Sequence, residues 1–349
     1  MTLRPLLTDS VKTQLMQLLR ESHHIVICAH RSPDGDAIGS SIAWADYLHT
    51  LGKEVSVIMP TPAPDFLRWM PGFSSILHYN ERRKTCDALI SAADLICCLD
   101  FNALSRLQEM APALQAAKAK RLLIDHHLDP EEGIADVMIS RPKASSTSEL
   151  VFRLTYELGG FDAMTRSTAA CIYCGMMTDT GAFTYASGNP EIYIIIAMLL
   201  TKRINKDKIY RNVYNTQSEE RLRFTGYMLY ERMKFYASHR ASILYFTRED
   251  IKRFKYKRGD SEGLVNMPLQ VRGMRLSISL REDTERDIIR VSLRSVDDFP
   301  CNKMAEEYFH GGGHLNAAGG ELPFPMSEAI KTAEKAIEDY KALLWPEQQ

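Results

Sequence analysis

"HIVICAHRSPDGDAIGSSIAWADYLHTLG", residues 24–52, is the stretch that decides the fold of this chain. It begins with an apolar run of strand length, "HIVICA" (24–29). It ends with "AIGSSIAWADYLHTLG" (37–52), whose apolar residues have helical spacing and stop at a glycine typical of helix C-caps. Three more strand-length runs follow, and helical stretches such as 103–118 and 147–158 separate some of them; the runs are 54–59, 94–99 and 121–124. Strands that alternate with helices predict a parallel sheet with helices on both faces.

The second half of the chain has a different pattern. Three predicted helices follow one another and indicate a helical connector: 190–202, 205–213 and 218–237. Alternating residues then predict half-buried strands, with "DTER" as a hairpin turn, and a final helix: 241–247, 274–282, 287–295 and 327–343. We therefore predict an α/β chain with three parts. These are a parallel-sheet catalytic domain at 1–200, a helical linker at 201–240 and a smaller α+β domain at 241–349.

The composition is that of an ordinary globular chain of two domains. Of its 349 residues, 45% are hydrophobic and 25% are charged, so it can bury sizeable cores. The formal net charge of −1 argues against binding long duplex DNA, since that needs many phosphate contacts from Lys and Arg. The most apolar stretch, "IYIIIAMLL" (192–200), is too short to span a bilayer, and the N-terminus lacks the pattern of a secretory signal. We expect no membrane partner.

The cysteines indicate the compartment. Seven cysteines, an odd number, suit a reducing cytoplasm better than a disulfide framework, so we predict a cytoplasmic protein. Cys171 and Cys174 form one C-x-x-C in an apolar, helical segment. Because no second pair completes a zinc site, we interpret them as small buried hydrophobic residues.

Polar side chains follow the first strand. "AHRSPDGDAIGS" (29–40) offers His30, Asp34 and Asp36 between a strand and a helix. The alternative interpretation is a polar turn in which Asp36 is the helix N-cap. That alternative accounts for one acid and leaves His30 and Asp34 unexplained.

Three later segments end in the same way. Asp100 directly follows the strand at 94–99, although an aspartate there could equally start the next helix. "IDHHLDP" (124–130) places an acid and two imidazoles at the end of another strand, and Asp179 in "MMTDTGAF" follows a segment that we predict to be a helix. Because ligand sites in parallel sheets form beyond the carboxyl ends of the strands, we expect these groups to converge.

A convergence of this kind predicts a metal centre. Four carboxylates held together repel one another by about 4 kcal/mol per pair at 4 Å and an effective dielectric constant near 20. Two divalent cations would neutralise them, and carboxylate with imidazole favours Mn²⁺ or Mg²⁺, with Co²⁺ or Zn²⁺ as alternatives in vitro. Two such ions support in-line attack of water on a phosphate ester without a Ser or Cys nucleophile. The predicted ligands are His30, Asp34, Asp36, Asp100, His126 and Asp179.

These segments resemble, in order and spacing, the DHH phosphoesterase superfamily. The motifs are H-x-x-x-D-x-D, a strand-ending Asp, D-H-H at residues 125–127, and T-D-T-G-x-F. The resemblance implies that His30, Asp34 and Asp100 hold one metal ion. It implies that the other is held by Asp36, Asp100, His126 and Asp179, with Asp100 shared between the two.

The resemblance also implies roles for neighbouring residues. His127 would face the scissile phosphate, and Asp125 would orient the imidazoles, as metal-bound histidines generally require. Together with Asp100, these are the predicted catalytic residues. Arg106, in an "SRL" that looks like the family, would contact a phosphate, with an unengaged surface arginine as the equal alternative.

The C-terminal stretch "GGGHLNAAGG" (311–320) resembles the DHH-associated domain of this superfamily. Its glycines let backbone N–H groups approach an anion closely, although a flexible turn is the alternative. Many members have a fourth glycine before this run, where this chain has His310. The predicted substrate-binding residues of this domain are Gly312, Gly313, His314 and Arg294, the last as a bidentate clamp on a terminal phosphate.

Nearly the whole chain resembles the NrnA-type group, the oligoribonucleases (nano-RNases) that also act as phosphatases on 3′-phosphoadenosine 5′-phosphate (PAP). The resemblance implies short RNA oligonucleotides or small phosphorylated nucleotides as partners, and it leaves a homodimer open. The C-terminal domain would grip a phosphate at a fixed distance from the chemistry.

Several alternatives compete with this interpretation. A phosphodiesterase for cyclic or linear dinucleotides (c-di-AMP, pApA, pGpG) has the same two-domain layout. A family II pyrophosphatase is disfavoured because its "SRKKQ"-type signature is absent, and a RecJ-type exonuclease because there is no room for an OB-like domain. A nucleotide-binding regulatory module is disfavoured because no acid or imidazole is missing. A nucleic-acid scaffold would use "IKRFKYKRGD" (251–260), which a solvated helix face explains better.

Overall fold

The chain divides into two compact units. The structure, a computed structural model, describes residues 3–257, 259–261 and 263–345. The units are Met1–Thr216 and Gln217–Gln349, so the division falls within the segment that we predict as a helical linker. No helix in these described ranges is both long and apolar enough to cross a bilayer.

The first unit is built on a six-stranded sheet in which every pair of neighbours is parallel. Its strands are β1 His24–Cys28, β2 Glu54–Met59, β3 Leu77–His78, β4 Leu95–Leu99, β5 Lys120–Asp125 and β6 Val137–Ser140. They lie in the order β3-β2-β1-β4-β5-β6. The predicted parallel α/β architecture is confirmed. The sequence analysis did not predict β3 and β6, which are short strands at the two edges of the sheet.

The helices of this unit cover the sheet. They are α1 Asp9–Glu21, α2 Gly35–Thr50, α3 Arg83–Ala92, α4 Ala111–Ala116, α5 Thr147–Glu157, α6 Arg166–Asp179, α7 Pro190–Thr201 and α8 Lys206–Tyr214. Alternate residues of β1 enter different cores, with Ile25 and Ile27 on one face and Val26 and Cys28 on the other. Both faces of the sheet are therefore buried, which explains why its strands are almost continuously apolar.

The stretch predicted to be helical at 103–118 is helical for most of its length, but it is not one continuous α-helix. Residues Leu104–Met110 form a 3-10 segment, and only Ala111–Ala116 is α-helical. Gln108 has a positive φ of 49°, which breaks the helix, and Pro112 lies in the first turn of α4, where its missing N–H is tolerated.

The second unit contains a mixed six-stranded sheet with order β11-β12-β10-β9-β8-β7. Its strands are β7 Met233–Tyr236, β8 Ala241–Phe246, β9 Leu276–Glu282, β10 Ile288–Ser295, β11 Gly312–His314 and β12 Ala317–Pro323. Its helices are α9 Glu219–Glu231, α10 Arg248–Arg253, α11 Cys301–Tyr308, α12 Met326–Asp339 and α13 Lys341–Leu344. Only β8 and β9 pair in parallel. The helix predicted at 218–237 is wrong at its end, because the aromatic residues Phe235 and Tyr236 form an edge strand.

The two faces of this sheet differ in character. Along β9, Leu276, Ile278 and Leu280 enter a core shared with α11 and α12. The intervening residues Ser277, Ser279 and Arg281 therefore lie on the opposite face. The opposite face is polar along β9, whereas its β8 part, with Leu244 and Phe246, packs in a smaller hydrophobic cluster.

Candidate metal centre

The order of the strands positions the first ligands. β1 and β4 are neighbours at the centre of the sheet, and the chain order reverses between them. In open α/β sheets, ligands bind at the carboxyl ends of the strands beside such a reversal. His30 follows β1, Asp100 follows β4, and Asp125 ends the adjacent strand β5.

Two aspartates begin α2. Asp34 is the N-cap, and its Oδ1 accepts hydrogen bonds of 3.0 Å from the backbone N–H groups of Asp36 and Ala37. The alternative in which Asp36 caps the helix is wrong, because Asp36 lies in the first turn and is fully buried. The same Oδ1 lies 3.9 Å from His30 Nε2, so the capping carboxylate also lies beside the first imidazole.

Asp36 is anchored by the start of another helix. Its two carboxylate oxygens accept hydrogen bonds from the backbone N–H groups of Thr147, at 2.7 Å, and Ser148, at 2.8 Å. These N–H groups belong to the first turn of α5, whose N-cap is Ser146. The positive end of the helix dipole therefore faces the carboxylate and fixes its orientation.

Close packing of α2 on α6 brings Asp179 to the same place. A Cβ atom on Gly39 would lie 2.5 Å from the carbonyl oxygen of Cys171. Only glycine permits this approach of the two helices. Asp179 is the last residue of α6, so its position depends on that contact.

Asp100 is the most constrained of the acids. Its φ is +62°, its backbone N–H donates to the carbonyl oxygen of Ile124, and its side chain is 3% exposed. The hydroxyl of Thr147 donates to Asp100 Oδ1 over 2.9 Å. Aspartate is among the residues that tolerate this left-handed conformation. The carboxylate is therefore fixed by strand pairing and by the same helix start that holds Asp36.

The imidazoles point towards these acids. His30 Nε2 lies 3.5 Å from Asp100 Oδ2, while its Nδ1 contacts the carbonyl oxygen of Arg31. His126 Nε2 lies 3.1 Å from Asp179 Oδ2 and 3.6 Å from Asp100 Oδ1. His127 Nδ1 lies 2.8 Å from Asp125 Oδ1, so Asp125 orients His127.

The structure brings all six predicted ligands together. Their donor atoms form three overlapping groups, in each of which the atoms lie within 4.8 Å of one another. The groups are His30–Asp34–Asp100, Asp36–His126–Asp179 and Asp100–His126–His127. Asp100 is shared between two of them. The third group adds His127, which we predict as a phosphate contact.

Burial and repulsion between the carboxylates shift the pKa values of these aspartates. Burial, with the nearby Asp100 and Asp179, raises the pKa of Asp36 well above its ordinary value. Burial raises the pKa of Asp179 to about 6, against the opposing effect of His126. The pKa of Asp100 is lowered, because contacts with His30 and His126 outweigh its burial. The cluster therefore carries more negative charge than its imidazoles balance.

The donor set fits divalent cations. Every atom in the three groups is a carboxylate oxygen or an imidazole nitrogen, and none is a thiolate. Such sites favour hard ions such as Mn²⁺ and Mg²⁺. Asp125 Oδ2 is also buried without a hydrogen-bond partner among the described residues. This oxygen, beside the histidines, can therefore still accept a hydrogen bond.

The other predicted site residues take two positions. Arg106 is exposed on the 3-10 segment, close enough for its charge to oppose the Asp125 contact that raises the pKa of His127. In the second unit, Arg294 and His314 lie on the strands that flank β12, and both are paired with Ala317. The structure therefore places Arg294 and His314 across one strand from each other.

The glycines beside His314 are not a flexible turn. Gly312 and Gly313 belong to β11, and a Cβ atom on Gly313 would lie 2.5 Å from the carbonyl oxygen of Ala317. His310 has a positive φ of 47°. It therefore adopts a backbone conformation that glycine reaches without strain, at the position where many family members have a glycine.

Sequence reasoning missed the residues that hold the acids. Thr147 and Ser148 lie in "SSTSEL" (145–150), and their contacts with Asp36 span more than 100 residues. The available signal was a Ser-rich helix start, which is typical of N-caps. Glu149 was also missed. It accepts hydrogen bonds from the N–H and the hydroxyl of Ser145, and it pairs with Arg153.

Arg153 connects this helix to a second acid, and that acid predicts a pH dependence. Glu191 is buried, yet contacts with Arg4 and Arg153 lower its pKa to about 2. An unfolded chain with a pKa of 4.5 takes up a proton first, so ionised Glu191 stabilises the folded state above pH 4.5 and loses this effect towards pH 2. The stability advantage of the wild type over Glu191→Gln should shrink over that range in denaturant titrations. A constant advantage from pH 7 to pH 3 would contradict this.

Comparisons with known proteins agree with this architecture. The DHH family N-terminal domain matches residues 24–176, and the DHHA1 domain matches residues 241–342. A solved structure of an exopolyphosphatase-related protein from Bacteroides fragilis is 50% identical and covers 98% of this chain and 99% of its own, with a TM-score of 0.90.

Two curated relatives extend the comparison. The bifunctional oligoribonuclease and PAP phosphatase NrnA of Thermus thermophilus is 28% identical over 90% of this chain and 89% of its own length. The cyclic-di-AMP phosphodiesterase PdeA of Listeria monocytogenes is 24% identical over 95% of this chain and 50% of its own length. With both domain models matched in order, the chain belongs to the DHH family and carries a DHH domain in its first unit and a DHHA1 domain in its second.

Proposed function

We propose that this protein is a metal-dependent phosphoesterase that hydrolyses short oligoribonucleotides, removes the 3′-phosphate of PAP, or does both. The observation that carries the proposal is the convergence of four aspartates and three histidines at the carboxyl edge of the parallel sheet. The Thermus thermophilus relative, similar over most of both chains, supports the substrate class.

In this proposal, two ions, Mn²⁺ or Mg²⁺, share the cluster. His30, Asp34 and Asp100 would hold one ion, and Asp36, Asp100, His126 and Asp179 would hold the other. Bound ions supply positive charge to the phosphate and lower the pKa of the attacking water. The protein supplies geometry, because Thr147 and Ser148 fix the two central acids before any ion or substrate arrives.

The neighbouring side chains would act on the substrate itself. The contact between His127 Nδ1 and Asp125 leaves Nε2 of that ring free to donate a hydrogen bond to a phosphate oxygen. The same contact raises the pKa of His127, which favours the protonated, donating form. Arg106 adds positive charge on the same side. These groups would neutralise the charge on the phosphate and position its phosphorus for in-line attack.

The direct test is a hydrolysis panel with Mn²⁺ and with Mg²⁺. It should include PAP, RNA dimers to pentamers, and inorganic polyphosphate, with release of mononucleotide or phosphate as the measurement. We expect turnover of RNA dimers to pentamers, of PAP or of both, and no turnover of polyphosphate. Metal-loaded protein that is inert towards every nucleotide would overturn the proposal.

A dinucleotide phosphodiesterase is the second candidate. The Listeria monocytogenes cyclic-di-AMP phosphodiesterase matches 95% of this chain, and its match includes both domains. Adding c-di-AMP, pApA and pGpG to the panel separates the candidates. Faster turnover of c-di-AMP than of RNA trimers and PAP would favour the second candidate.

Asp179→Asn should weaken one metal site. The variant removes one negative charge beside His126 and keeps the shape of the side chain. We expect about 10- to 100-fold more Mn²⁺ to be needed for half-maximal activity. Asp162→Asn, at an exposed aspartate of the same unit, is the matched control. An unchanged metal titration for Asp179→Asn would remove this residue from the ligand set.

Arg294→Ala should lower the activity on nucleotide substrates more than the activity on a non-specific phosphodiester. If Arg294 clamps a nucleotide phosphate, its loss should lower kcat/KM for PAP and RNA dimers by about 10- to 100-fold, the worth of a charge-assisted hydrogen bond. Hydrolysis of bis(p-nitrophenyl) phosphate should change little. His314→Ala should act in the same direction, and Arg272→Ala, at an exposed arginine, should not. Equal losses on both substrate classes would contradict the clamp.

A further inference from the structure

The polar face of the second sheet is an unusual surface. On β9 and β10, Ser279 lies opposite Ser292, and Arg281 lies opposite Arg290. Gly319 of β12 continues the serine row. The hydroxyls of Ser279 and Ser292 have no hydrogen-bond partner within the described part of the chain. The row therefore offers unused hydroxyl groups beside two guanidinium groups.

Arg281 and Arg290 lie directly opposite each other, although both are positively charged. Like charges directly opposite on neighbouring strands are destabilising. Arg290 is neutralised, because it pairs with Asp283 and Glu321. Within 3–257, 259–261 and 263–345, no carboxylate forms an ion pair with Arg281. It donates instead to the hydroxyl of Tyr256, at 3.2 Å. A half-buried guanidinium held by a neutral partner is available to an anion.

A cavity of about 490 Å³ lies over this row. Its lining includes Ser261, Ser279, Arg281, Ser292 and Gly319. The Tyr256 hydroxyl that holds Arg281 also contacts the hydroxyl of Ser261, at 2.7 Å. Arg281 and Ser261 therefore line the cavity together, and the Tyr256 hydroxyl, which is not part of the lining, connects them.

This cavity is distinct from the predicted phosphate clamp. Neither Arg294 nor His314 lines it. Arg294 and Arg290 are four residues apart on β10, which is about 13 Å along the strand. A ligand that occupied both places would have to extend along the sheet.

We propose that this cavity is a second phosphate-binding subsite, which takes a phosphate of an oligoribonucleotide two nucleotides along the chain from the phosphate held at Arg294. The inference rests on the proposed function and specifies its substrate: chains longer than a dinucleotide gain a contact that a dinucleotide cannot make. Arg281 is the main positive charge, and the hydroxyls of Ser261, Ser279 and Ser292 are the neutral donors.

The charges around the cavity are mixed. Glu321 also lines it, and Arg290 pairs with that carboxylate. Glu282, Asp283 and Glu285 line an adjoining cavity that Arg281 also lines. A phosphate would therefore bind beside Arg281, because this guanidinium has no carboxylate partner among the described residues.

Equilibrium binding of two RNA probes tests the subsite. The full-length protein, with Ca²⁺ in place of Mn²⁺ to slow hydrolysis, is titrated with pApA and with pApApApA. We expect Arg281→Met to weaken binding of the tetranucleotide about tenfold and to leave the dinucleotide unchanged. Arg281→Lys, which keeps the charge without the planar fork, should recover part of the loss. Arg272→Met is the charge-matched control.

The outcomes separate the subsite from the proposed function. Equal binding of both probes by the wild type, or an equal change in both for Arg281→Met, would overturn the subsite even if the enzyme hydrolyses RNA. Absence of hydrolysis in the panel would overturn the proposed function while this binding difference could persist. Thermal unfolding of each variant shows whether it is folded, and Tyr256→Phe, which removes only the hydroxyl holding Arg281, should weaken tetranucleotide binding in the same direction.

Discussion

Replacing Asp100 by Asn is expected to reduce hydrolysis by about 1,000-fold. The carboxylate oxygens of Asp100 lie 3.5 Å from His30 Nε2 and 3.6 Å from His126 Nε2. Asp100 belongs to two of the three groups that could hold a metal ion. Loss of one charge at about 4 Å from a cation costs on the order of 4 kcal/mol at an effective dielectric constant of 20. That free energy corresponds to about three powers of ten in rate. Because both ions would lose the same ligand, added Mn²⁺ should not restore activity.

Asn is the informative replacement at this position. The backbone of Asp100 is left-handed, a conformation that Asn adopts more readily than Ala, so Asp100→Asn should remain folded. Asp129→Asn is the matched control, since Asp129 is also left-handed, with a φ of 52°, and is outside the three groups. The measurement is kcat with PAP or an RNA dimer at saturating Mn²⁺. Near-normal activity of Asp100→Asn would refute its shared position between the ions.

Replacing Arg153 by Met is expected to destabilise the first unit by about 3 kcal/mol or more. The guanidinium of Arg153 is 7% exposed and contacts Glu149 at 2.8 Å and Glu191 at 2.9 Å. Without it, buried Glu149 has no cationic partner within the described residues, while Glu191 keeps its ion pair with Arg4. Breaking a buried ion pair from one side costs more than the pair contributes, because the remaining charge stays desolvated.

The measurement is the free energy of unfolding of the first unit. Arg166→Met, at an exposed arginine in the first turn of α6, should change it by about 0.5 kcal/mol or less. The Arg153→Met loss should also reach the metal centre, because Glu149 orders Ser145 at the start of the helix that holds Asp36. A stability of Arg153→Met equal to that of Arg166→Met would show that the ion pairs contribute little.

The position of the candidate metal centre was predictable from the sequence, because several of its residues lie at the ends of strands that the apolar pattern identifies. His30 and Asp100 follow such strands and Asp125 ends one, so the parallel sheet brings them to the same edge. The hydrogen bonds from Thr147 and Ser148 were not readable, since they depend on how α5 packs against α2. Local periodicity carries no information about that packing.

The same distinction applies to the fold. Long buried strands have a continuous apolar signal, whereas β3 has only two residues and β6 only four, too few for a pattern. The break in the helical stretch at 103–118 was not predicted, because Gln108 has a positive φ that its residue type does not indicate. In the second unit, the pairing of β11 with β12 depends on tight glycine packing rather than on alternation.

The ligands of the metal centre come from positions between His30 and Asp179, on both sides of the central strand reversal. During synthesis, a nascent chain therefore cannot assemble the complete site until Asp179 has left the ribosome. In the folded protein, a bound ion would connect segments that are distant in sequence. Because the unfolded chain lacks this site, saturation with metal should raise the melting temperature of the first unit.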